Sequence, residues 1–172
     1  MSGRREVRTV IGMSRSPRHP SRQDSKLGLP IWALASLSLL GLPRVVLHDL
    51  DLVPSQAAAG LLAIVPALIW IGTVVWAQAR APLAALLVVG IGYGVILATC
   101  HNLFFDRVFA ADPPALAGNL QDRFPAGVEE AMLRVAMSIS SVFTGAAVGL
   151  ICGLVAMGIL ALRQRVSRTQ ES

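Results

Sequence analysis

The 172-residue chain is 54% hydrophobic and only 15% charged, with a mean hydropathy of +0.63. Soluble domains average roughly 45–50% apolar and about 25% charged, and here the apolar residues gather in four long blocks, which excludes ordinary amphipathic soluble helices. The net charge of +5 and pI near 10.6 would suggest nucleic acid in a soluble protein. Here the positive charge clusters at the two chain ends and reads as a topology signal and an attraction to anionic headgroups, so the expected partner is the lipid bilayer, with no nucleic acid.

Residues 1–26 are rich in Arg, Ser and Pro and read as a disordered basic tail, with Met13 an alternative start. The first block, Leu27 to Pro43, has 17 residues and no charge. That is about 26 Å of helix, just short of a hydrocarbon core of about 30 Å. Arg44 can snorkel, so the span is expected to run over 27–47. Ala33, Leu34 and Ala35 look like a cleavage site, but too few apolar residues precede them for a signal peptide. The second span is expected over 56–78, with Ser55 as N-cap and a kink at Pro66. The third is expected over 82–104, with Pro82 in its first turn. Residues 105–127 are expected to form an outer loop, and Leu103, Phe104, Val108 and Phe109 suit one face of a short helix that extends the third span or lies in the headgroup layer. The fourth span, 128–162, is longer than a membrane needs and should tilt or project. Residues 164–172 form a short tail. The fold class is thus all-α, a polytopic membrane protein with four helices in an antiparallel bundle.

Charge asymmetry sets the orientation. Eleven basic residues lie in the two tails and the connector at Arg80, against four on the other side. Three acidic residues lie on the first side and seven on the second. By the positive-inside rule both termini are cytoplasmic, and the expected location is a bacterial cell membrane.

Helices in lipid associate through close backbone approach. Gly90, Gly94 and Ala98 recur at spacing four in the third span, and Ser141, Gly145, Gly149 and Gly153 do so in the fourth. These faces are expected to pack on each other, within one chain or between protomers. Tyr93 lies near mid-membrane, and Ser138, Ser140, Ser141 and Thr144 are the expected partners of its hydroxyl.

The polar residues that carry any chemistry gather at the outer interface: Arg44, His48, Asp49 and Asp51 in the first loop, His101, Asp106 and Arg107 after the third span, and Glu130 and Arg134 opening the fourth. His48, Asp49, Asp51 and His101 are metal-ligating types, but their spacing matches no zinc signature, and no cofactor is expected. The expected ion pairs join Asp49 or Asp51 to Arg44 or Arg107, and Glu130 to Arg134. The spans themselves lack an embedded carboxylate, which argues against a proton-coupled antiporter. Cys100 and Cys152 sit at different depths and suggest no disulfide. No catalytic motif is present. The favoured reading is a non-enzymatic structural or accessory membrane component. The alternatives are a pore or carrier subunit acting as an oligomer, and a membrane enzyme or metal site at the outer interface. A second copy or another membrane protein is the expected protein partner.

Overall fold

The computed structural model describes residues 26–50, 52–110, 114–116, 118–120 and 123–170. The basic tail, Asp51, Asp112 and Asp122 therefore lie outside the described residues. The order is α1 (Ile31–Leu39), α2 (Leu42–Asp49), α3 (Gln56–Trp76), α4 (Pro82–Leu103), the short α5 (Phe105–Val108), a 3-10 turn at Gly118–Leu120, and α6 (Ala126–Gln170). No strand occurs among the described residues. Four segments are long and apolar enough to cross a membrane: α1 with α2 over Ile31–Asp49, then α3, α4 and α6. Their outward faces expose Leu61, Leu68, Val95, Phe143 and Ile151, an apolar surface that only lipid covers without penalty.

The first span is broken, where the sequence suggested one continuous helix. Pro43 has no N–H to complete the ladder and its ring crowds the carbonyl of Leu39, so α1 stops and α2 restarts with Gly41 as its N-cap. The break leaves the Leu37 carbonyl without its usual partner four residues on. It accepts instead from Leu40 N at 3.1 Å and from the buried Trp70 Nε1 at 2.7 Å. Trp70 meets the Tyr93 ring edge-on, with centroids 5.8 Å apart. Ser38 Oγ lies 3.0 Å from both the Leu34 and Val89 carbonyl oxygens, tying α1 to α4.

Ser55 caps α3 by accepting from Ala58 N at 3.2 Å, and α3 runs through Pro66 without interruption. Pro82 opens α4. Between them Gln78 adopts φ 48° and Gly28, at φ 83°, packs on the Ala79 and Arg80 backbone. α6 is 45 residues long, about 67 Å. It extends past the expected end at 162 because no Gly or Pro follows Gly158, and Arg163, Arg165 and Arg168 suit a helix C-terminus.

The seam between α4 and α6 is glycine on glycine. Along α4, Leu83, Leu86, Gly90 and Gly94 meet Gly153, Gly149, Gly145 and Ser141 of α6 in descending order. A Cβ on Gly145 would stand 2.6 Å from Gly94 N, and one on Gly90 would stand 2.7 Å from Gly149 Cα. Each clash is with backbone, which has no rotamer to yield. All five of these glycines, Gly90, Gly94, Gly145, Gly149 and Gly153, make their close contacts within one chain. Ala98, at the next step of the same row, is only half-buried, and its carbonyl accepts from Asn102 Nδ2 at 2.8 Å.

Replacing Gly145 with Leu should lower stability by at least the about 1–3 kcal/mol typical of overpacking. Gly72→Ala, at a glycine with nothing within 4 Å of its Cβ position, should be neutral or stabilising by up to about 1 kcal/mol. Thermal unfolding of the two variants in one detergent checks the contrast.

Candidate functional site: a buried carboxylate in a polar cavity

Three helices bring polar side chains to one cavity of about 350 Å³. α2 lines it with Arg44, Val45, His48 and Asp49, one turn and its continuation. α4 contributes Tyr93, Leu97 and His101, at spacing four. α6 contributes Met137, Ser140, Ser141 and Thr144. These are ordinary helical periodicities, each one step round from the seam: residues 90 and 94 pack, while 93, 97 and 101 face the cavity.

Asp49 is the unusual member. The sequence places it in a loop, yet it is the last residue of α2 and its side chain is only 4% exposed. Asp49 lies two residues past the expected end of the first span at 47, and α2 carries it back against α4, where protein and not water surrounds its carboxylate. Its Oδ1 takes both imidazoles, His101 Nε2 at 3.3 Å and His48 Nδ1 at 3.5 Å. Its Oδ2 is buried and has no hydrogen-bond partner among the described residues. Asp49 pairs with these histidines and with neither Arg44 nor Arg107. Among the described residues Arg107 makes no ion pair.

His101 has a partner on each nitrogen, since its Nδ1 lies 3.3 Å from Ser141 Oγ. Its Nε2 faces the Asp49 carboxylate while its Nδ1 faces the Ser141 hydroxyl, so the ring bridges α2 and α6. The imidazole is 27% exposed, whereas that of His48 is 71% exposed, so His101 is the more strongly held partner. Tyr93, whose hydroxyl the sequence assigned to serines or a threonine of the fourth span, is met instead by Arg44 Nη1 at 3.4 Å. The ring occupies the space beside Gly41, where a side chain would collide with it.

A second polar cluster has a different character. Arg134 Nε donates to Glu130 Oε1 at 2.7 Å, Nη2 to Asp106 Oδ1 at 2.8 Å and Nη1 to the Asn102 carbonyl at 2.8 Å. Its guanidinium lies 4.1 Å from the Phe105 ring centroid. Asn102 in turn donates to Ser138 Oγ at 2.8 Å. Glu129 accepts from Leu116 N and ties the long connection to α6. Every arm of Arg134 has a partner, so this cluster clamps α4, α5 and α6 together.

Among the described residues no three His, Cys, Asp or Glu side chains are grouped so as to hold a metal ion, and Asp51, the fourth weak metal candidate, lies outside them. Leu97, Met137 and Thr144 join one wall of the cavity only through the packing of α4 on α6, although their helical spacing from Tyr93 and Ser141 places them on the same faces.

Removing the His101 imidazole leaves Asp49 with one well-exposed partner. His101→Ala should cost about 0.5–1.5 kcal/mol, the range of an ordinary polar contact. Asp49→Asn should cost little or stabilise, because it removes a buried charge, and it should suppress most of the His101→Ala penalty in the double variant. Thermal or denaturant unfolding of the four-member cycle checks the coupling. Compared with family models, with curated proteins and with solved structures, the chain matches none.

Proposed function

We propose that the protein is a non-enzymatic component of a bacterial cell membrane that binds a small polar solute in the cavity between α2, α4 and α6, as a binding subunit or carrier. In this reading the four spans form an antiparallel bundle with both termini cytoplasmic, so the cavity lies in the outer half. The charge asymmetry of the tails and connectors supports that orientation. The observation that carries the function is the Asp49 carboxylate, which lines a cavity of small-molecule size with a side chain only 4% exposed and, among the described residues, no partner on Oδ2. A carboxylate buried among helices at the end of a span is costly, and such residues often mark a solute or ion path. An unpaired buried acceptor costs about 1–3 kcal/mol, and a ligand with a donor relieves it.

The Asp49–His101–Ser141 chain has the residue types of a nucleophilic triad, but a binding role is favoured. Ser141 sits mid-helix, where the neighbouring N–H groups are already engaged in the α6 ladder, and acyl transfer needs donors for an oxyanion.

Purified protein in nanodiscs, screened by thermal shift against amino acids, amines, organic acids and sugars, should be stabilised by at least one solute class. Asp49→Asn should lose that response while melting cooperatively on its own. A folded wild type that responds to nothing in the panel overturns the reading. Separately, green fluorescent protein fused after Ser172 should fluoresce in a bacterial host, since it folds in the cytoplasm. A dark fusion with normal membrane insertion reverses the orientation.

A further inference from the structure

The cavity contains two opposite charges that do not pair with each other. Arg44 and Asp49 both line it from α2, five residues apart, which is about 7.5 Å of helix rise. Among the described residues Arg44 reaches only the Tyr93 hydroxyl, at 3.4 Å, longer than the about 2.7–3.2 Å of a good N–H···O bond. Among the described residues it pairs with no carboxylate. The contrast with Arg134 is informative. Where this fold uses a guanidinium as a clamp, it gives it three bonds of 2.7–2.8 Å. Arg44 has no such set. Asp49 likewise keeps Oδ2 without a partner while two imidazoles share Oδ1.

Simple ligands fit this pair poorly. A lone anion would meet the buried carboxylate, and a lone cation would meet the guanidinium in the same cavity. A divalent metal lacks a grouped set of three ligands among the described residues. A molecule with one charge of each sign answers both residues at once. Charge-assisted hydrogen bonds to carboxylate or phosphate are the strength of Arg. An ammonium group supplies donors to the Asp49 carboxylate, which lines the cavity.

Resting on the solute-binding reading above, we propose that the cavity binds a small zwitterion, its anionic group on Arg44 and its ammonium on Asp49. Val45, Leu97 and Met137 then cover the apolar link between the two charges, and the Ser140 and Thr144 hydroxyls stand along the same wall. The chemistry is shared by a free ω-amino acid and by a phosphoethanolamine headgroup.

The test uses the full chain in phosphatidylglycerol nanodiscs and isothermal titration with ω-amino acids of two to six carbons, each beside the amine and the acid of the same skeleton. At least one zwitterion should bind tenfold or more tighter than both of its singly charged analogues. Asp49→Asn should reduce its affinity to that of the acid, and Arg44→Gln to that of the amine. Arg44→Gln changes an exposed side chain, so it remains informative if Asp49→Asn folds poorly. Repeating the titration with phosphatidylethanolamine in the disc separates the sources: competition identifies the headgroup, and an unchanged isotherm identifies a free solute. An amine that binds as tightly as its zwitterion overturns the proposal. So does Asp49-dependent binding of some other solute class with no response to any zwitterion, and in that case the solute-binding reading stands. Silence toward every solute overturns both.

Discussion

Everything in this structure depends on how closely α4 and α6 approach. In lipid there is no hydrophobic drive between helices, so contact has to come from packing and from weak backbone interactions at short range. Gly90, Gly94, Gly145 and Gly149 remove the side chains that would hold the two backbones apart. That seam fixes the relative depth and rotation of the two helices. Because it does, the row one step round, Tyr93, Leu97 and His101, faces Ser141 and Thr144 at a set distance. The cavity is the gap left beside a seam that cannot shift without a backbone collision. Its third wall is α2.

The broken first span supplies that wall. An unbroken helix through residue 49 would hold a single axis, and its polar end would follow the direction of α1. Pro43 and Gly41 interrupt it, and the freed Leu37 carbonyl is taken by Trp70. Trp70 then touches Tyr93, which fills the space beside Gly41. The break, the indole and the phenol are one connected arrangement. It brings a carboxylate, normally confined to water, into contact with α4 and two imidazoles.

Much of the architecture is legible in the residues themselves. The four apolar blocks, the Ser55 cap, the Pro82 start and the two rows of small residues follow from periodicity and from the few residues that punctuate helices. The break does not, because the apolar content runs smoothly across Leu40 and Gly41 and Pro43 reads equally well as the end of a span. Asp49 was harder still. In the stretch His48–Asp49–Leu50–Asp51 a carboxylate looks like loop chemistry, and only a partner 52 residues on, His101, shows that it is buried. Arg134 is intermediate: Glu130 four residues before it is a local pattern, whereas Asp106 and the Asn102 carbonyl are tertiary.

The interruption between Leu39 and Leu42 also divides the first span mechanically. Trp70 and Ser38 anchor the part before it to α3 and α4, while Arg44, His48 and Asp49 all ride on the eight-residue part after it. Those three side chains therefore share one short backbone segment, so the guanidinium, the imidazole and the carboxylate take their places in the cavity wall from a single helix orientation.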